Sequence, residues 1–186
     1  VSNPEFLREG YAIHDFMYPD RIVFGRTKTN VTVDQVLHDL YRPLNVDKSK
    51  ILFTNHAGAE LIKYAANAFL ATKITFVNEL VALSEALGGD INAISLGMGL
   101  DARIGEQFLR PGPGYGGSCF PKDTVAIRSV AERYGVTLSL IDSTIRANQN
   151  VKESAARKVV SEFLLTDRAK RICLFGCTFK PGTDDM

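Results

Sequence analysis

The sequence predicts a mainly α chain built on one long helix, with short α/β pieces towards both ends. Residues 57–87 form the longest uninterrupted helical pattern, closed by Gly88-Gly89. Short apolar runs stopped by glycine read as strands: residues 21–25 (RIVFG) as a short buried one, and 171–176 (RICLFG) as the first strand of a new α/β unit. Helical periodicity then dominates residues 57–165, which are expected to be almost wholly helical.

In chain order, residues 1–9 (VSNPEFLRE) place the carboxylates of Glu5 and Glu9 at i,i+4. With Asn3 as cap and Pro4 opening a short helix, both share one face, an arrangement that also serves simply to offset the helix dipole. Pro19-Asp20 makes a turn before the first strand. Residues 32–40 carry Val33, Val36, Leu37 and Leu40 on one helical face, and Pro43 ends the pattern. Residues 51–53 (ILF) read as a second short strand. The long helix follows, apolar around much of its circumference, so burial between other elements is expected. Lys63 and Asn67 interrupt that girth one turn apart. On a buried helix they need a polar partner, unless Lys63 snorkels to solvent and Asn67 is satisfied locally. Asp90 caps a shorter helix that gives way at Gly97-Met98-Gly99. Two more helices are expected at about 121–134, ended by Gly135, and 138–165, whose polar face holds Asn148, Gln149, Asn150, Lys152 and Glu153. Residues 179–185 read as a loop.

The chemistry points to residues 111–124, PGPGYGGSCFPKDT. Pro111, Pro113, Gly112, Gly114, Gly116 and Gly117 cannot continue a helix or a strand, and Pro121 suits the first position of the helix beyond. Cys119 therefore stands just before a helix N-terminus with Lys122 one turn away. The dipole and the cation both favour its thiolate. A lone cysteine is also a good buried hydrophobe, and Asp123 could merely offset the dipole. The glycine approach, the capping position and the Lys122-Asp123 pair together favour a nucleophile at the lip of a pocket. The glycine spacing mimics a dinucleotide fingerprint, but no strand precedes it.

With 22 basic and 21 acidic residues, the near-neutral charge argues against nucleic acid or a membrane surface as the main partner. No 18-residue run lacks charges, and the three cysteines show no metal-type pairing, so no metal is expected and a reducing, cytoplasmic setting is. His14, His38 and His56 lie in no recognisable Cys–His motif, which weakens a thiol-hydrolase reading. Both ends read as cut, as in a fragment of a longer protein.

NPEFLREG at residues 3–10, PDRIVFG at 19–25 and AELIKYAANAFLATKI at 59–74 resemble the nucleotide-sugar 6-dehydrogenases, the family of UDP-glucose and GDP-mannose 6-dehydrogenases. DARIG at 101–105, GPGYGGSCFPKD at 112–123 and FGCTFKPGTDD at 175–185 continue the resemblance in the family's order. It implies a central helical dimerisation domain at 57–165 with a long connecting helix. Pieces of two α/β Rossmann-like domains flank it: the end of an NAD-binding domain at 1–56 and the start of a nucleotide-sugar-binding domain at 166–186. No Gly-x-Gly-x-x-Gly stands between a strand and a helix as in such a cofactor domain; the spacing at Gly112, Gly114 and Gly117 lies in the loop before Cys119.

The implied reaction oxidises the sugar C6 alcohol to a carboxylate with two NAD molecules in succession. By resemblance Cys119 is the nucleophile, Lys63 and Asn67 give donors to the oxyanion, and Asp123 and Glu5 handle water and protons. Substrate contacts carry over onto Glu5, Phe6, Leu7, Arg8, Glu9, Lys63, Asn67, Arg103, Arg110, Tyr115, Gly116, Phe179 and Lys180. Arg103 is expected to reach a neighbouring subunit of a homodimer or higher oligomer. Glu5, Cys119 and Lys122 would face the cofactor. The loop sequence leans towards UDP-glucose, with GDP-mannose, a UDP-N-acetylhexosamine or an inactive dimerisation module as alternatives.

Overall fold

A computed structural model describes residues 1–27, 31–164, 171–173, 175–180 and 182–184. By backbone contact the chain divides into two units, one essentially Val1–Ala65 and the other beginning at Ala66.

In the first unit, β1 (Ile22–Gly25) pairs in parallel with β2 (Ile51–Thr54), in the register Ile22 to Ile51 through Gly25 to Thr54. Parallel strands need a crossover, and α2 (Val31–Tyr41) with two 3-10 turns supplies it. All four residues of β1 are buried, as a strand covered on both faces requires. Phe24 stands between the rings of Tyr41 and Phe53, with centroids at 5.4 and 5.3 Å. A short helix, α1 (Ala12–Met17), precedes the pair.

The expected helix over the first residues does not form. Ser2 makes an antiparallel bridge with Gly25 through bonds of 2.8 and 2.7 Å. The Asn3 amide donates to Val23 O at 2.9 Å instead of capping a helix. Sheet pairing to a buried strand outweighs a weak local propensity, so Glu5 and Glu9 do not share a helical face.

α3 (His56–Leu87) starts in the first unit, where Asn55 Oδ1 accepts from Gly58 N at 2.6 Å. Its remainder belongs to the second unit with α4 (Ile91–Gly99), α5 (Phe120–Arg133) and α6 (Ser139–Leu164). The buried residues of this part of α3 are mostly small or polar, Ala68, Ala71, Thr75, Asn78 and Ser84, with Val77 the one larger apolar side chain among them. Thr75 satisfies its hydroxyl on Ala71 O, and Thr72 meets Thr144 of α6 at 3.1 Å. The large side chains Phe69, Phe76 and Leu83 recur every seven residues and are exposed. The expectation that α3 lies buried around its girth therefore holds for its inner stripe alone.

Two further differences concern irregular segments. Residues 100–119 between α4 and α5 are not helical, tied by Lys73 to Ile104 O at 2.9 Å and by Ser95 to Leu109 O. The strand expected at 171–176 is absent from its described residues, with Leu174 outside them. Ile172 and Phe175 are exposed, and no described strand lies alongside to share a hydrogen-bond ladder. The expected end of the last helix at Leu165, and Pro181 and Asp185 of the final loop, also lie outside the described residues.

Candidate active site

In the second unit the candidates gather at the start of α5. Cys119 is the residue before the first helical position; Phe120 takes that position and Pro121 the second. The Cys119 side chain is exposed and makes no capping bond, with Sγ 3.8 Å from Ser118 Oγ. One turn on, Asp123 is buried and both its oxygens are engaged. Oδ2 accepts from Asn67 Nδ2 at 2.6 Å and Oδ1 from Lys122 Nζ at 2.7 Å. A buried carboxylate needs such donors, and here they come from α3 and from the preceding residue of α5. Asn67 and Asp123 are 56 residues apart in sequence, yet in direct contact.

The glycine-rich loop is held by its backbone. Gly112 N donates to Asn78 Oδ1 at 2.8 Å. Tyr115 N donates to Asn148 Oδ1 at 2.7 Å, and Asn148 Nδ2 returns a bond to Tyr115 O at 3.1 Å. Tyr115 is buried, edge-on to Phe120 at 6.2 Å, and burial pushes its hydroxyl pKa up against a hydrogen bond with Thr124. Gly114 has φ +105°, and a Cβ there would lie 2.7 Å from Asn148 Oδ1. Gly117 has φ +74°, and its Cβ would sit 3.0 Å from the Phe179 ring. At Gly112 and Gly116 a Cβ would meet open space. At 114 and 117 the glycines thus serve close packing against the protein's own side chains.

The first unit holds the other candidates. Lys63 Nζ donates to Glu5 O at 2.7 Å and to Glu5 Oε1 at 2.8 Å, with its side chain 16% exposed. This is the polar partner that a largely buried lysine demanded. Glu5 Oε2 accepts from Leu7 N at 2.7 Å, which fixes the start of the Phe6-Leu7-Arg8-Glu9 segment. Phe6 lies under the Arg21 guanidinium at 3.9 Å. Arg8 grips Asp15 through Nε at 2.9 Å and Nη2 at 2.6 Å, and Arg8 N adds a third bond at 2.9 Å.

The Arg8 hydrogen bonds hold the Asp15 carboxyl well below the usual carboxylate range. A carboxylate depressed in the folded state adds stability that is present above its unfolded pKa of about 3.9 and lost as pH falls below it. Asp15→Asn should therefore lower the melting temperature at pH 7, and the gap to wild type should close as pH falls below about 4. Thermal denaturation across pH 2–7 checks this; a gap independent of pH would contradict the ion-pair account.

The remaining candidates are spread over the second unit. Arg103 is 89% exposed on the turn after α4, paired with Asp101 at 2.6 Å. Arg110 is exposed next to buried Leu109. Lys180 Nζ lies 5.1 Å from the Phe179 ring centroid. Asn78 and Asn148 were not foreseen as loop anchors. Asn148 was visible only as part of a polar helix face, and bonds across 33 and 34 residues leave no local signal.

An exposed thiol at a helix start, one turn before a buried carboxylate–amide pair and just after a pinned glycine loop, presents the kind of groups that covalent acyl chemistry uses. The UDP-glucose/GDP-mannose dehydrogenase family, central domain, matches residues 57–150, and the NAD-binding domain of the same family matches residues 1–45. The chain belongs to that family. A UDP-glucose 6-dehydrogenase of Rhizobium meliloti is 49% identical over the whole chain, which covers 43% of that protein. The corresponding enzyme YwqF of Bacillus subtilis is 47% identical over the whole chain, covering 41% of it. The structure of a UDP-glucose dehydrogenase from Pyrobaculum islandicum superposes with TM-score 0.80 at 40% identity, over 87% of this chain and 36% of that one. The chain thus spans about two fifths of the length of these relatives.

NAD is the cofactor of that family. The pair β1–β2 with its crossover helix is the kind of sheet that receives a dinucleotide beyond the carboxyl ends of its strands. The sequence has no glycine-rich strand-to-helix turn, and β2 leads through Asn55 directly into α3. The first unit fits a flank of such a site and not its pyrophosphate cradle. Among the described residues no helix is long and apolar enough to cross a membrane.

Proposed function

We propose that the protein to which this chain belongs oxidises the C6 alcohol of UDP-glucose to the carboxylate of UDP-glucuronate, with Cys119 as nucleophile. The exposed thiol one turn from the buried Asp123–Asn67 pair carries this reading. NAD supplies the hydride acceptor for both oxidations. Between them the Cys119 thiolate adds to the C6 aldehyde to give a thiohemiacetal, and its oxidation leaves a thioester. Water then cleaves the thioester, its oxygen entering the carboxylate and the thiol returning to its starting form. Asn67 and Lys63 serve the oxyanion, and Asp123 and Glu5 move protons to and from the water.

Residues 57–165 would form the central dimerisation domain, with 1–56 and 166–186 belonging to the flanking α/β domains. The exposed Phe69, Phe76 and Leu83 on α3 support a second copy of the chain as the partner that covers them. Three free, exposed cysteines suit a reducing, cytoplasmic setting. Relatives at 49% and 47% identity, each named a UDP-glucose 6-dehydrogenase, support that substrate over GDP-mannose. In an assay of the full-length protein, UDP-glucose should drive reduction of two NAD per sugar, and the active species should sediment as a dimer or larger. Reduction driven by GDP-mannose alone, or by neither sugar, would overturn the reading.

A further inference from the structure

We infer that Asn78 and Asn148 are positioning residues that set the path of the glycine-rich loop and thereby the placement of Cys119. The inference rests on the reading of Cys119 given above. Each asparagine belongs to a long helix of the second unit, and each is about 95% buried. Neither spends its amide on its own helix. Asn78 Oδ1 takes the Gly112 N–H, and its Nδ2 is buried without a hydrogen-bond partner among the described residues. A buried amide that leaves a donor unmet is costly for a core position, so the loop bond is what it contributes. Asn148 accepts from Tyr115 N and donates to Tyr115 O, which imitates the two-bond exchange of a strand pair.

The two anchors hold the loop at Gly112 and Tyr115, three residues apart. From Tyr115 the constraint reaches the thiol over a short path. The Tyr115 ring packs edge-on against Phe120, its hydroxyl bonds Thr124, and Phe120 adjoins Cys119. Loop amides so fixed hold their remaining polar groups and the thiol in one geometry, which reactions of oriented groups require. Arg110, Tyr115 and Gly116, the proposed substrate contacts of the same loop, are placed by the same bonds.

The test uses the full-length protein with Asn148→Ala and Asn78→Ala, singly and together. Hydrogen exchange without substrate should accelerate in peptides covering residues 110–119 and stay slow in α5. Well below the melting temperature, kcat with UDP-glucose should fall at least tenfold in each single variant, more than KM rises. The double variant should lose less than the product of the two, since both anchors act on one loop. Unchanged loop exchange in a folded variant, or kcat within twofold of wild type, overturns the inference. Should Asn148→Ala fail to fold, Asn78→Ala gives the same decision. If the wild-type protein oxidises no nucleotide sugar, the proposed function fails, while the exchange measurement still decides whether the asparagines hold the loop.

Discussion

Cys119→Ser in the full-length protein is expected to lower steady turnover by at least about three orders of magnitude, roughly 4 kcal/mol in the barrier, with folding intact. The side chain is exposed and caps nothing, so the exchange of sulfur for oxygen should change stability by no more than about 0.5 kcal/mol. Chemistry, in contrast, loses its best feature. A serine oxygen can still add to the aldehyde but is far less nucleophilic at neutral pH, and an ester hydrolyses more slowly than a thioester. Mass spectrometry of the variant after exposure to UDP-glucose and NAD should reveal a sugar adduct at position 119. Near-normal turnover in a folded Cys119→Ser protein would remove the centre of the functional reading.

Asp123→Ala should produce a different failure. The methyl group leaves the Asn67 amide without its acceptor in a part-buried position, a loss of about 1–3 kcal/mol in stability. Lys122, 64% exposed at its side chain, returns to solvent at little cost. Cys119 keeps its thiol, so the first oxidation and thioester formation should continue. Hydrolysis should slow at least tenfold, and the acyl form should accumulate during turnover instead of being trapped as an ester. A rapid burst of NAD reduction followed by a slow phase is the expected kinetic record. Loss of the burst along with the steady rate would place Asp123 before the acyl intermediate and not after it.

How much of this could be read in advance differs from element to element. The helices α2 to α5, the start of α6 and the strands β1 and β2 were legible within a residue or two, because an apolar period and a bounding glycine or proline are local signals, although the same signals also suggested a strand at 171–176 that its described residues do not form. The first nine residues were not, since Ser2 is held by Gly25 across the sheet and not by its neighbours. Cys119 was placed correctly at the mouth of α5 because the glycine run and Pro121 frame it. For Lys63 the need for a polar partner could be derived from its position on a largely apolar helix, but only folding showed that the partner was Glu5. Asp123 was read as part of the Cys119 site, with dipole offset as the plainer alternative, but nothing local announced the contact with Asn67. α1 left no signal strong enough to be read, its six residues being too few for a helical period to establish itself.

The four glycines of the loop sort a mutational scan into two kinds of result. Gly114 and Gly117 combine a positive φ with an occupied Cβ position, so a variant there fails by disturbing the protein itself. Gly112 and Gly116 have room for a side chain that touches no protein atom. An alanine at 112 or 116 that folds normally and still abolishes turnover would point to a collision outside the described residues of this chain. If the proposed function holds, those two positions should sense the sugar nucleotide from the protein side, and a graded series of side chains at each should measure how near it comes.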